Sequence, residues 1–156
     1  MDLRKVAPWI GAAVPLAVFA GGYAWPVSKR QRVIGQPPSV VFGIVWTLIG
    51  ASAVLHSIEA SKTYEIKFLA FLLAALALTA VACTGWLYYD HMGRDDVAIP
   101  MLAVVMTSSV GALSCAAAAG SLAGCIYSTL PLGWAIYALS LNLVGANTSR
   151  PHSVCE

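Results

Sequence analysis

The side chains that most often carry out chemistry are scarce in this chain and form no catalytic pattern. None of the cysteines belongs to a C-x-x-C pair, and no histidine stands at metal-ligand spacing from them. No histidine belongs to a recognisable acid–base arrangement. The residues concerned are Cys83, Cys115, Cys125, Cys155, His56, His91 and His152.

One short loop gathers acidic residues, with Asp90, Asp95 and Asp96 beside His91. These side chains could hold a divalent cation weakly, but a short acidic loop is more often simply solvated. The chain has no G-x-S-x-G, Walker or H-E-x-x-H motif. We therefore predict no catalytic residue and no metal site, and a protein that is not an enzyme.

The composition indicates the class of protein. Of the 156 residues, 59% are apolar and only 10% are charged, against about 25% charged in a soluble domain. Mean hydropathy is +0.77. These values argue against a free-standing soluble enzyme and a disordered chain, and a net charge of +2 is too small for a nucleic-acid-binding surface. We predict a multi-pass integral membrane protein in contact with the lipid bilayer; the composition favours no particular membrane.

Four uncharged stretches contain the apolar residues, at 6–28, 33–58, 68–89 and 97–149. A membrane-spanning helix needs about 20 residues, so the first three hold one span each. The fourth would be about 80 Å long as one helix, and we expect it to turn back at Ala119-Gly120-Ser121. The prediction is an all-α bundle of five transmembrane helices in one domain, 1–156, with helices at Val6–Trp25, Ser39–Ile58, Ile66–Tyr89, Val97–Ala118 and Leu122–Asn147.

The ends of the chain and the loops leave two alternatives. Arg4 and Lys5 before an apolar run also fit a cleaved signal peptide, but the run is longer than a typical signal core and contains Pro15, which favours a retained helix. Four basic residues fall on one side of the five spans and five on the other, so the positive-inside rule does not decide the orientation. Pro15 and Pro131 are expected to kink their helices.

Small residues recur along the fourth span at Ser108, Ala112, Ala116 and Gly120. Such stripes let helices approach closely in lipid; we favour packing inside the monomer and leave a homodimer or a larger membrane complex open. The histidines lie near span ends, as interfacial polar residues. Aromatic residues at span ends are typical of interfacial belts: Tyr23, Trp25, Trp86, Tyr88 and Tyr89.

Trp46 and Trp134 differ because they lie several residues inside their helices. On the last helix Trp134, Tyr137 and Ala138 share one face, with Asn142 at its edge. An amide inside the membrane must form a hydrogen bond with another helix or with a ligand, so Asn142 either joins two helices or contacts a ligand.

Two segments resemble one family. The run from Pro37 to Leu48, P-P-S-V-V-F-G-I-V-W-T-L, is similar to the P-P-x-x-V-F-G-x-V-W-T-L signature that opens the second helix of the tryptophan-rich sensory protein/translocator protein (TspO/MBR) family. The segment 132–142 resembles the family's last helix, L-x-W followed by F-A-x-x-L-N. The motif residues matched most closely in the first segment are Pro37, Pro38, Phe42 and Gly43.

The chain also departs from the family pattern. Gly50 stands where the family usually has a tyrosine, and Pro131 is one residue closer to Trp134 than the family's proline. Thr79 and Ala82 replace the Asn and Trp of the third helix in the nearest alignment.

The resemblance implies a five-helix bundle with a pocket under the first loop that binds porphyrins and, in some members, sterols or drug-like molecules. The second and fifth helices are then expected to face each other across a cavity, with ligand contacts from Trp46, Trp134, Tyr137, Ala138, Asn142 and Gly50. Lys29, Arg30 and Arg32 in the first loop could pair with propionate groups at the pocket mouth, or anchor the loop to lipid headgroups.

The resemblance requires no resident cofactor and implies a receptor, carrier or sensor for a porphyrin or sterol-like ligand. The departures favour an alternative, a structural or assembly subunit that keeps the bundle with a degraded pocket. Porphyrin breakdown, proposed for some relatives, ranks lowest because no acid, base or metal set is visible.

Overall fold

The computed structural model describes residues 2–24 and 37–148, and the described residues form five α-helices and no strand. All five are long and apolar enough to cross a membrane, which confirms the predicted all-α, five-span architecture. The helices are α1 (Leu3–Ala24), α2 (Ser39–Thr63), α3 (Ile66–His91), α4 (Asp95–Ala118) and α5 (Leu122–Thr148).

The helices pack side by side in a closed ring. The order around the ring is α1, α2, α5, α4 and α3, which returns to α1, and α2 also touches α3 across the interior. Short turns join α2 to α3 and α4 to α5 at one end, here called the α2–α3 end. The turn between α3 and α4 lies at the opposite end, the α3–α4 end, where the segment 25–36 also attaches. Successive helices therefore run antiparallel.

The turn between α4 and α5 lies where the sequence predicts it. Gly120 has φ +70°, a left-handed conformation that a glycine adopts at little cost. The N–H of Ser121 donates to the carbonyl of Ala116 at 2.9 Å, and the Ser121 hydroxyl accepts from the N–H of Gly124 at 2.9 Å. Glycine thus ends one helix and serine caps the next.

The acidic loop between α3 and α4 uses the same turn chemistry. Gly93 has φ +71°, and the N–H of Arg94 donates to the carbonyl of Tyr89 at 2.9 Å. The exposed Arg94 guanidinium pairs with Asp96 at 2.8 Å. Two carboxylates in the first turn of α4 also face the positive end of that helix. Along 2–24 and 37–148, no group of three or more His, Cys, Asp or Glu residues could hold a metal ion.

Several helix boundaries differ from the prediction. α1 begins at Leu3 instead of Val6, and α2 continues to Thr63 instead of Ile58. α4 begins at Asp95 instead of Val97, α3 runs to His91 instead of Tyr89, and α5 runs to Thr148 instead of Asn147. The predicted end of α1, Trp25, lies outside the described residues. The predicted boundaries at Val6, Ile58, Tyr89 and Val97 stop at an adjacent charged residue, but charged side chains in a terminal turn reach the headgroup region and do not interrupt the helix.

Arg4 shows how a charge extends a helix. Its guanidinium donates to the carbonyls of Ser61 at 2.7 Å and Tyr64 at 2.9 Å. These carbonyls belong to the end of α2, where helix carbonyls lack partners from within the helix. The first turn of α1 therefore caps the last turn of α2.

Small residues bring the helices close together. A Cβ atom at Gly50 would lie 2.6 Å from the Cβ of Pro15, so α1 and α2 touch at this point with no room for a side chain. On α4, the predicted small-residue stripe is turned inward, because Ser108, Ala112 and Ala116 are all buried. The stripe therefore serves packing within the monomer.

Candidate functional site

Five aromatic side chains from three helices meet near the α3–α4 end of the bundle. We call them the aromatic cluster: Phe42 and Trp46 from α2, Trp86 from α3, and Trp134 and Tyr137 from α5. Their positions follow from the helix order, because α2 is packed against both α5 and α3. The cluster contains the two tryptophans that the sequence singles out.

Trp46 lies between the other two indoles. Its ring stacks on Trp86 with a centroid distance of 6.4 Å and an interplanar angle of 27°. Its edge meets Trp134, also at 6.4 Å, with the planes 80° apart. Trp46 and Trp134 are therefore brought together as expected, but their rings are in contact instead of facing each other across a cavity.

The other two members of the cluster pack on Trp134. Phe42 meets it edge-on at 5.1 Å, and Tyr137 lies 5.4 Å away at a tilt of 43°. These distances are within the range for favourable aromatic pairs. The motif residue Phe42 therefore belongs to the same site as the last-helix motif.

Trp86 is the member that the sequence interpretation missed. It was assigned to an interfacial belt, but its side chain is only 5% exposed and packs against Ala82 and Cys83 in the core. The available signal is the spacing of Thr79, Cys83 and Trp86, which places all three on one face of α3. The position of Trp86 near a span end is typical of an interfacial residue, whereas its place in the helical period favours burial.

Two indole N–H groups in the cluster lack an acceptor. The Nε1 atoms of Trp86 and Trp134 are buried, and neither has a hydrogen-bond partner among the described residues. A buried donor without a partner costs about 1–3 kcal/mol. Both donors could be satisfied by an acceptor such as a carbonyl, carboxylate or pyrrole-type nitrogen on a bound molecule.

A groove opens beside the cluster on the outer surface between α2 and α5. Its volume is about 580 Å³, within the range of about 300–1,000 Å³ that small-molecule sites occupy. The groove opens to the outside of the bundle. It is lined by Val45, Ile126, Thr129, Leu130, Gly133, Trp134 and Tyr137.

On the inner side of the cluster the packing is much tighter. Trp46, Gly50 and Cys83 contribute to an interior cavity of only about 20 Å³ between α1, α2 and α3. This volume is enough for about one water molecule. The described residues thus place the larger space on the outer side of Trp134 and Tyr137.

Three of the predicted contact residues have structural roles. Gly50 packs on Pro15 and lines the small cavity, and Ala138 is buried in the core near Trp86. The Asn142 amide donates to the carbonyl of Ala138 at 2.8 Å. That bond lies within α5 and joins Asn142 to its own helix.

The Pro37-Pro38 motif lies at the start of α2. Pro38 precedes the helix in an extended conformation, and its carbonyl accepts from the N–H of Val41 at 2.9 Å. Gly43 faces open space on the outer surface. Pro37 adjoins Pro38 at this helix start. The predicted pocket-mouth residues lie outside the described residues: Lys29, Arg30 and Arg32.

Two thiols and one histidine of the described residues are buried. Cys83 and Cys115 are free and lie in the core, as small apolar residues would, and the Cys115 thiol donates to the Phe68 carbonyl at 3.0 Å. His56 is 2% exposed. The prediction that His56 lies at the interface is wrong, because α2 continues past it to Thr63 and holds it inside the bundle.

Comparisons with protein-family models, with curated proteins and with solved structures find no match to this chain. The features that indicate a function are therefore the motif resemblance and the geometry of the aromatic cluster.

Proposed function

We propose that this protein is a TspO-like membrane protein that binds a tetrapyrrole or another rigid hydrophobic ligand, such as a sterol, and acts as a receptor, carrier or sensor. The observation that carries the proposal is the aromatic cluster, in which the buried indole N–H of Trp134 has no partner among the described residues and its side chain lines a groove of ligand size.

A flat apolar ligand suits this chemistry for two reasons. Aromatic faces and edges favour stacking with a planar ring system, and Trp134 and Tyr137 line the groove together. An apolar site also gains orientation from a few polar contacts. The N–H group of Trp134 is a donor at the groove, so the ligand should present an acceptor atom to it.

The surroundings of the groove are consistent with delivery from the membrane. A hydrophobic ligand dissolved in the bilayer meets the groove directly, since the groove opens to the lipid-facing side. We propose that Lys29, Arg30 or Arg32 pairs with ligand carboxylates. These basic residues shortly precede Pro37 in the sequence, and Phe42 of the cluster follows Pro37 by five residues.

Titration of the purified protein with protoporphyrin tests the proposal. We expect saturable quenching of tryptophan fluorescence with micromolar or tighter affinity and a shift of the porphyrin Soret band. Trp46→Ala should abolish or strongly weaken binding because Trp46 holds the cluster together. Trp9→Phe is the matched control, since Trp9 is 77% exposed near the start of α1, at the α2–α3 end. Equal affinity for the Trp46→Ala and Trp9→Phe proteins would refute the proposed site.

A second candidate is a structural or assembly subunit that has lost an internal pocket. The contact between Gly50 and Pro15 favours it, because that contact occupies the place where the family usually has a tyrosine side chain. Isolation in mild detergent distinguishes the two functions. A stoichiometric complex without bound pigment, together with no saturable porphyrin binding, would support the subunit.

A further inference from the structure

A small cavity, with a largely apolar wall to which several polar side chains also contribute, lies at the centre of the bundle, apart from the aromatic cluster. All five helices contribute to its wall, and its volume is about 30 Å³. That is room for one or two water molecules and for no larger ligand. Six of the residues that line the cavity have polar side chains: Ser52, His56, Thr79, Ser109, Tyr127 and Ser128.

The hydroxyl groups of this wall keep unused acceptor capacity. Ser52 and Ser109 each donate to a carbonyl of their own helix, at 2.7 and 2.8 Å. The Thr79 hydroxyl lies 2.9 Å from the Ala75 carbonyl and 2.7 Å from the Ser108 hydroxyl. A hydroxyl oxygen has two lone pairs, so each of these oxygens can still accept a hydrogen bond. The hydrocarbon of a lipid tail cannot donate one, whereas a water molecule can donate two.

A chain of hydrogen bonds leads from the cavity toward the α2–α3 end. The Ser128 hydroxyl lies 3.3 Å from Nδ1 of His56, and Nε2 of His56 lies 3.0 Å from the Tyr64 hydroxyl. At the same end of the bundle, the Ser121 hydroxyl donates to Oε1 of Glu59.

The groups around His56 are compatible with this arrangement. The titratable neighbours are Glu59 on its own helix, Tyr64, Tyr127 and Cys125 near it, and Cys115 of α4 beside Tyr64. Burial raises the pKa of Tyr64 above its usual value, which keeps its hydroxyl protonated as a donor. Oε2 of Glu59 is buried without a partner among the described residues.

We propose that the central cavity is a water-binding site that holds one or two ordered water molecules. The hydrogen bonds of Ser128 and Tyr64 to His56 lead from this water toward the α2–α3 end. This inference is independent of the ligand proposed above, because it concerns different residues at a different depth.

Magnetisation transfer from water to alanine methyl groups tests for the water. The protein is labelled at alanine methyls and studied in lipid nanodiscs. Ala53 and Ala112 line the cavity, whereas Ala51 is exposed on the outer surface of the same helix as Ala53. We expect transfer to Ala53 and Ala112 and none to Ala51. Transfer to the two cavity methyls that is no stronger than to Ala51 overturns the water site.

Discussion

The indole of Trp46 stacks on the indole of Trp86, with ring centroids 6.4 Å apart. The two residues lie 40 positions apart on α2 and α3, helices that meet across the interior of the ring. The pair therefore ties opposite walls of the bundle together at the aromatic cluster. It also makes the cluster a rigid surface against which a planar ligand could stack.

Trp86→Ala tests how much that pair contributes to the stability of the bundle. Removing a buried tryptophan is expected to lower the free energy of unfolding by about 3 kcal/mol, because the lost packing leaves a void between α2 and α3. Thermal or denaturant unfolding in detergent measures the change. Trp9→Ala should alter the free energy by less than about 0.5 kcal/mol, as surface substitutions usually do. Similar losses for both variants would contradict the assigned burial.

Trp134→Phe tests the proposed hydrogen bond to a ligand. Phenylalanine keeps an aromatic face but lacks the indole N–H, so porphyrin affinity should fall by about tenfold, the value of one well-formed bond. The measurement is the Soret-band titration, with unfolding temperature as a check on folding. Tyr88→Phe, outside the cluster, provides the control and should bind with unchanged affinity.

Gly124→Ala tests the close approach of α5 to α2. A Cβ atom at this position would collide with the Tyr64 hydroxyl and lie 2.9 Å from Nε2 of His56. We expect a loss of about 1–3 kcal/mol of unfolding free energy through overpacking. Gly133→Ala is matched on the same helix and meets open space, so it should be neutral or slightly stabilising because alanine favours helix. Equal effects of the two substitutions would show that α5 does not approach Tyr64 this closely.

Gly120→Ala tests the turn between α4 and α5. Its left-handed conformation costs a residue with a Cβ about 1–2 kcal/mol, so the melting temperature should fall. Gly120→Asn should lose less, because asparagine tolerates this region better. If both variants melted at the wild-type temperature, the positive φ would be incorrect.

Arg4→Met tests the cap on α2. The substitution keeps an unbranched side chain but removes two charge-assisted hydrogen bonds to carbonyls of Ser61 and Tyr64. An expected loss of about 2 kcal/mol follows from the value of such bonds. Lys5→Met, at the exposed neighbouring position, should change the unfolding free energy little. Both are compared by unfolding in the same detergent.

The course of the chain through the membrane could be predicted from local sequence features. Charges separate the apolar stretches, and lipid requires each stretch to form a helix because no water is present to satisfy its backbone. Gly120 and Ser121 marked the turn within the longest stretch for reasons of backbone conformation and capping. Boundaries such as that at Thr63 could not be predicted, because a terminal charge is compatible with either helix or loop.

The composition of the candidate site depended on tertiary contacts. Local spacing singled out Trp46 and Trp134. It did not identify Trp86, because a tryptophan near a span end is compatible with an interfacial belt as well as with a buried position. Likewise, nothing in sequence joins Ser128 and His56, which meet only because α2 lies beside α5. Sequence by itself determined how many helices cross the membrane, since hydrophobicity and charge act locally. Only the packing of those helices decided which side chains meet, since contacts between distant segments depend on helix order, rotation and the close approaches that glycine allows.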